Sequence, residues 1–357
     1  MKKICLLLIL ASVMQFGFSQ KVDLDKFYFT ASYRDLPRKG LDPSYNTFNV
    51  KMDAGFITKL AFNNEKLEQQ ITIDGWRRLP FDGHVQIQLQ LEDVMILNTE
   101  VKEKVNITKD KNGVEIGRKS TYTLQVYYSF GAKARLTDYN GWDIQSIILS
   151  DREQKQIHNS ESFPTAADAN AYFKYGIFVL TNQLVKQSVQ NAIINLNSIL
   201  TASYGYPERT VNDFFWIVGS KKHPEYEDHR RAWATFRQVI LQMSPDESLD
   251  AVKEQMKPVM LYFNSIKKKY ASNSKWDKKL RYASYFNLAK IHWYLDDPDA
   301  AMKEATELVI NGYDSKDGKR LENGAVDLKT QMRQAKMTTR HFPVRVNEFQ
   351  GPFAGNN

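Results

Sequence analysis

The residues best placed to do chemistry lie between His223 and His229. There His223-Pro224-Glu225-Tyr226-Glu227-Asp228-His229 gathers two imidazoles and three carboxylates in seven positions. Imidazole and carboxylate together suit a divalent metal. The run has a proline at its second position and no His-x-x-x-His spacing, so nothing sets two imidazoles on one helical face. A solvated acidic loop is the expected reading. Asp93, Asp138 and Asp143 fall near strand ends, and a pair of carboxylates that met in space could serve glycoside cleavage. The chain has no Gly-x-Ser-x-Gly elbow, no phosphate-binding glycine loop and no zinc-protease helix. We expect no catalytic residue, no cofactor and no bound metal.

Charge supplies a second kind of candidate. Lys267, Lys268, Lys269, Lys275, Lys278, Lys279 and Arg281 concentrate around one loop between helices. Such a run either compensates helix C-termini and keeps the surface soluble, or docks an acidic partner. Trp76-Arg77-Arg78 is a smaller basic group beside a turn. Aromatics and glutamine faces also fit a sugar platform, although Trp76 and Trp142 read more simply as hydrophobic plugs. Lys plus Arg exceeds Asp plus Glu by 49 to 41, a net +8. This is mildly basic and lacks the dense stripe of a nucleic-acid protein.

The elements that must position these residues begin after a leader. Lys2 and Lys3, the apolar run Ile4–Val13 and the small residues before Gln20 have the order of a secretory signal over 1–19. The apolar run is short of the ~20 residues of a membrane span. Cys5 is the only cysteine and precedes the place a lipidated cysteine would take. The expected mature chain is therefore no lipoprotein. It holds no thiol nucleophile, thiolate metal site or disulfide. Loss of Lys2 and Lys3 lowers the net charge from +8 to +6, and export argues against a nucleic-acid partner. No later segment is apolar enough to span a bilayer, while peripheral association with an acidic envelope surface is compatible with the charge.

Residues 20–155 read as an antiparallel β domain, a sandwich or small barrel. Lys26–Thr30 is a first strand, Phe48, Val50 and Met52 alternate with polar residues, and Ile71 and Ile73 repeat the pattern. Val85, Ile87, Leu89 and Leu91 alternate with three glutamines, the clearest strand of the chain. Val94, Ile96, Val101 and Val105 suggest further pairing. Asn112-Gly113 predicts a type I′ hairpin turn. Thr121–Phe130 and Ile144–Leu149 are strands by their β-branched and aromatic content. Asp151–Pro164 is polar and reads as the domain boundary.

The period then changes to 3.6. Residues 165–338 read as an α-helical domain that opens with a long helix or two over Ala166–Tyr204, capped by Thr165. Val211–Ser220 is an apolar run, either helical turn or strand. Helices are expected over Arg230–Met243, then from Pro245 or Asp246 to Tyr270 with Ser244 as cap and a kink or a break at Pro258. Two short helices over Arg281–Tyr313 and a last one over 325–337 follow. Residues 339–357 look like an extended, loosely held tail.

Tyr285–Val309 resembles a tetratricopeptide repeat. Leu288-Ala289 matches the first-helix pair, and Asp296-Asp297-Pro298-Asp299-Ala300-Ala301 matches the turn and second-helix start, with Ala289 and Ala301 twelve apart. Asp296 stands where the pattern has glycine, His292 where it has tyrosine, and Ala305 where a larger aromatic is common. His292 is then core or groove-lining. The resemblance covers about one repeat and implies a protein-binding helical stack, hence an envelope protein partner. The expected fold class is α+β, an antiparallel β domain followed by a tetratricopeptide-like helical domain. The expected role is an exported, non-enzymatic interaction scaffold of the periplasm or outer membrane, as an accessory of a secretion or assembly machine. The alternative is a carbohydrate-binding or glycan-processing envelope protein.

Overall fold

The computed structural model describes residues 21–62 and 64–353. The expected leader over 1–19 lies outside the described residues. The chain is a mixed α+β protein, with sheets in its N-terminal half and a series of helices in its C-terminal half. It divides into two compact units, each assembled from two separate stretches. One is 41–205 with 345–353, the sheet unit. The other is 21–40 with 206–344, the helical unit.

The sheet unit contains β2 (Thr47–Ala54), β3 (Arg77–Arg78), β4 (Val85–Leu91), β5 (Met95–Lys109), β6 (Glu115–Ser129), β7 (Ala132–Asp138), β8 (Asp143–Ser150) and β9 (Gln156–Phe163). Two short helices, α1 (Phe56–Ala61) and α2 (Asn64–Glu68), and the long α3 (Ala166–Tyr204) complete it. One sheet has the order β3-β2-β4-β7-β8 and the other β5-β6-β9. Neither is a closed barrel. The alternation in β4 does what the sequence predicts: Val85, Ile87, Leu89 and Leu91 are buried and the glutamines between them are not. The expectation of a wholly antiparallel domain is corrected, because β2 runs parallel to both β3 and β4. The crossover between β2 and β4 carries α1 and α2. Ile71 and Ile73 lie in that crossover; they are buried, but they form no strand.

The hairpin between β5 and β6 turns at Asp110–Gly113, yet not as type I′. Only Gly113 has a positive φ, +82°, so Asn112 does not share the left-handed region. Gly113 N–H donates to Asp110 O at 3.1 Å, and the Asp110 carboxylate accepts from Asn112 N and Val114 N at 2.8 Å each. This is a type I turn closed by a glycine bulge. Asp138–Gly141 repeats it between β7 and β8, with Gly141 at φ +87°.

The polar stretch after residue 150 carries β9, paired with β6, and is not a linker. Thr165 caps α3 as predicted, accepting from Asp168 N at 3.1 Å. The helix runs unbroken through Gly176 for 39 residues and packs on β5, β6, β8 and β9. It therefore belongs with the sheets, whereas the sequence grouped it with the later helices. Its periodicity marked it as a helix but not which apolar surface it covers.

The helical unit is organised around a two-stranded ribbon. β1 (Leu24–Arg34) and β10 (Glu208–Val218) pair antiparallel over all eleven residues of each. The first strand thus lies outside the sheet unit, a second correction to the expected division. Around the ribbon are α4 (Tyr226–Ile240), α5 (Asp250–Lys269), α6 (Lys275–Tyr294), α7 (Pro298–Asn311) and α8 (Ser315–Ala335). One ribbon face brings Phe29, Phe215 and Ile217 into a core with Trp233, Phe236, Phe263, Leu288 and Ile291. Phe215 stacks on Phe236 at 4.0 Å between ring centroids. Helix α5 begins at Asp250, later than Ser244-Pro245 implied. Asp246 pairs with Arg34, and Pro245 O accepts from Phe342 N at 2.9 Å, so that turn anchors other segments. α5 stays helical through Pro258.

Two elements fix the α6–α7 turn. Asp297 accepts from Ala300 N at 3.0 Å and Pro298 opens α7. Ala289, Ala301 and Ala305 are buried, as two closely packed helices require. Asp296 has φ +58°, which explains the glycine usual in such turns. Here the carboxylate is used: it accepts from Arg340 Nε at 2.7 Å, Arg340 N at 2.6 Å and Thr339 Oγ1 at 2.8 Å. The Arg340 guanidinium lies against the corner formed by the Tyr33 and Trp293 rings, 4.3 and 4.0 Å from their centroids. The start of the expected loose tail is therefore firmly held, with Arg340 and His341 both 2% exposed.

Candidate functional site

The 223–229 run is not a solvated loop. His223, Glu225 and His229 are buried, and Tyr226 already begins α4. The Glu225 carboxylate accepts from Tyr262 OH at 3.0 Å, Tyr270 OH at 2.9 Å and Lys269 Nζ at 2.5 Å. Burial alone would raise its pKa, and these donors outweigh burial and hold it below the usual carboxylate range. His223 Nδ1 accepts from Glu225 N at 3.1 Å. His229 packs edge-on against Tyr262 and Phe263, and neither ring nitrogen has a hydrogen-bond partner. Burial depresses its pKa to about 3, so it is neutral at ordinary pH. Among the described residues no three His, Cys, Asp or Glu converge as metal ligands.

The basic run splits between two duties. Lys267 pairs with Glu304 of α7 at 2.7 Å and Lys269 with Glu225. Arg281 is buried, donating to Asn311 Oδ1 at 3.0 Å and to the carbonyls of Tyr270 and Ser272. These three hold helices together. Lys268, Lys275, Lys278 and Lys279 are left at least partly exposed. His292 is half-buried beside Asp297, 3.7 Å away. The candidate carboxylates are separately engaged. Asp93 caps α1 through Thr58 N at 2.9 Å, Asp138 closes its turn, and Asp143 pairs with Arg135 at 2.6 Å. Trp76 is a buried plug whose Nε1 donates to Tyr204 O at 2.8 Å, whereas Trp142 is 75% exposed.

The site that does emerge lies where β10 meets α6 and α8. The outer edge of β10 carries backbone groups that β1 does not pair. Side chains of α6 satisfy them. Asn287 Oδ1 accepts from Trp216 N at 3.0 Å and Asn287 Nδ2 donates to Trp216 O at 2.9 Å. Lys290 Nζ donates to Phe214 O at 3.0 Å and pairs with Asp213. Tyr294 OH donates to Asp213 Oδ2 at 2.9 Å. Residues 287, 290 and 294 fall three and four apart, one stripe of a helix.

Beyond this seam a cavity of ≈ 250 Å³ opens between α6 and α8. Ala289, Trp293, Leu321 and Gly324 give it apolar walls; Asp213, Lys290 and Tyr294 lie at one side and Arg320 at another. Its acceptors are largely engaged. Asp213 already receives Lys290, Tyr294 and Phe214 N, and Gly324 O accepts from Trp293 Nε1 at 3.1 Å. Its donors are not exhausted. An ammonium has three N–H groups and Lys290 uses two. Arg320 uses Nη2 on Asp317 at 2.9 Å and is mostly exposed. A pocket with free donors and largely engaged acceptors suits a ligand that brings acceptors and an apolar group. Burial pulls the Lys290 pKa down and Asp213 opposes it. The ammonium sits between a carboxylate and a carbonyl that keep its proton, a poor arrangement for an amine nucleophile.

Sequence reasoning missed this pocket. Its one signal was the apolar run over 211–220, which carries Asp213 and Trp216. Compared with known proteins, the chain matches no family model and no curated sequence.

Proposed function

We propose that this chain is an exported, non-enzymatic interaction scaffold of the bacterial envelope, an accessory of a secretion or outer-membrane assembly machine. On this reading α6, α7 and α8 are a short tetratricopeptide-like stack, and the two sheets of the other unit form an open sandwich. The stack holds an extended segment of a partner protein. An apolar side chain of that segment enters between Trp293 and Leu321, and its backbone carbonyl or acidic side chain meets Lys290 and Arg320. The observation that carries the reading is the donor surplus of the pocket over β10.

The test is affinity capture from gently solubilised native envelope, with the natural chain and with Gly324→Trp. A Cβ at Gly324 meets nothing within 4 Å, so a side chain there starts in open space on the pocket wall, and circular dichroism checks that the variant keeps its fold. A stoichiometric envelope protein held by the natural chain and lost from the variant is expected. Equal recovery with both, or a lane of bait alone, contradicts the reading. The rival reading, a glycan-binding protein, rests on the exposed Trp142 as a stacking platform. A glycan array with the natural chain and Trp142→Ala separates it from the scaffold.

A further inference from the structure

The hairpin of β5 and β6 outreaches its sheet. β9 pairs with β6 only over Tyr122–Tyr128, so 104–109 and 115–121 form a two-stranded ribbon with no third strand. Lys104 to Lys109 spans about 17 Å at the rise of an extended strand. Every residue over 102–109 and 111–119 is exposed. A ribbon bare on both faces buries too little to be stable in isolation, and wants a surface to rest on.

The far end of the ribbon has a definite chemistry. Val105, Ile107, Val114 and Ile116 are exposed by 41%, 46%, 59% and 65%. Cations interleave with them at Lys102, Lys104, Lys109, Lys111, Arg118 and Lys119, against Glu103, Asp110 and Glu115. The three acids are engaged locally. Asp110 accepts the backbone N–H groups of its own turn, Glu115 pairs with Arg118 at 2.9 Å, and Glu103 accepts from Tyr122 OH. Lys102 pairs with Glu100. Lys104, Lys109, Lys111 and Lys119 make no ion pair among the described residues. The ribbon end thus carries aliphatic tips together with four uncompensated ammonium groups: Lys109 and Lys111 lie about the turn, and Lys104 and Lys119 stand on the face opposite Val105 and Ile107.

We propose that this ribbon docks the protein on an anionic lipid surface. Ile107, Val114 and Ile116 enter the boundary between headgroups and acyl chains, and the four lysines reach lipid phosphates along their flexible stems. The composition favours lipid over a protein partner. Protein interfaces gather aromatics, methionine and arginine at their centres and are depleted in lysine. Residues 101–119 hold no aromatic, no methionine, one arginine and five lysines. Lysine is a point charge without the planar fork that reads a fixed partner. A headgroup layer needs only charge at a depth. The inference concerns the sheet unit alone and stands apart from the pocket over β10.

The experiment is co-sedimentation of the purified protein with vesicles of phosphatidylcholine alone and of phosphatidylcholine mixed with phosphatidylglycerol. Three variants accompany it. One carries Lys104→Gln, Lys109→Gln, Lys111→Gln and Lys119→Gln. A second carries Ile107→Ser, Val114→Ser and Ile116→Ser. A third loses the same charge elsewhere, through Lys268→Gln, Lys275→Gln, Lys278→Gln and Lys279→Gln. All the ribbon positions are exposed, and circular dichroism checks that each variant keeps its fold. Binding to the anionic vesicles only is expected. It should fall by roughly several hundred-fold in the first variant, given about fivefold per lysine near the surface. The second variant should weaken by about tenfold or more, and the third far less than the first. The natural chain failing to bind anionic vesicles overturns the proposal. Equal losses in the first and third variants overturn it as well, since diffuse charge would then be the cause. Ile116→Cys with a polarity-sensitive dye gives a second reading: a blue shift on anionic vesicles agrees, and an unchanged spectrum contradicts insertion.

Discussion

His229 shows what a single buried side chain contributes. Both ring nitrogens lack partners, and burial keeps the ring neutral. Its folded pKa lies below the unfolded value, so the unfolded chain binds the extra proton as the pH falls. Stability is complete above about pH 6.5 and declines from there toward pH 3, at about 1.4 kcal/mol per unit. From pH 6.5 to 5 this costs about 2 kcal/mol, measurable as a shift in urea midpoint. His229→Phe removes two unsatisfied nitrogens while keeping a ring. It should flatten that pH dependence and raise stability at pH 7; an unchanged slope would contradict the assignment. Asp296 is the opposite case, a buried carboxylate with every bond made. Asp296→Ala leaves Arg340 without its counter-ion and should cost roughly 3–5 kcal/mol by chemical denaturation. A loss below about 1 kcal/mol would show that the clasp is not structural. The turn at Asp296 was legible in the sequence, since a glycine-like position followed by Asp-Pro marks it. Its partner 44 residues later was not, because nothing local ties Arg340 to it.

At the scale of elements, α6 does two jobs that its sequence states only in part. The small residues at Ala289 and Ala301 announced a helix pair, and the pair is there. Asn287 and Lys290 read as ordinary polar positions of a helix. Only the edge of β10 makes them structural, by presenting Trp216 and Phe214 backbone groups that need partners. Asn287→Ala should leave both Trp216 groups unsatisfied and lower stability by about 2 kcal/mol. Faster amide exchange at Trp216 than at Phe215, whose groups face β1, is the accompanying sign; equal protection would contradict the seam. The turns at Asp110–Gly113 and Asp138–Gly141 teach a related lesson. Asn-Gly correctly located the first, but the aspartate two residues earlier selects a type I turn with a glycine bulge. The turn type is thus set by Asp110, not by the Asn-Gly pair alone.

Across the whole molecule, the α+β class and the change of period near residue 160 were legible because each rests on local patterns. The division into units was not. β1 pairs with β10 across some 180 residues, and no periodicity reports which distant strand a strand will choose. The lone first strand at Lys26–Thr30 was therefore grouped with its sequence neighbours. The structure makes a specific prediction here. Amides over 25–33 should exchange with the opening of the helical unit, in step with 209–217, and not with 85–91 of β4. Common exchange behaviour of 25–33 and 85–91 would contradict the division. The basic run met a similar limit. Lys267, Lys269 and Arg281 look like surface charge in a sequence, and their partners Glu304, Glu225 and Asn311 appear only once the helices stack.

The central claim is that the pocket over β10 holds a partner chain. The most direct measurement is a photo-crosslinking residue placed at Leu321 on the pocket wall, and as a control at Leu241, which is 63% exposed at the end of α4. Illumination in native envelope should give one discrete crosslinked species from position 321 and none from position 241, and Gly324→Trp in the same chain should abolish it. No product from position 321, or the same products from both positions, would contradict the claim.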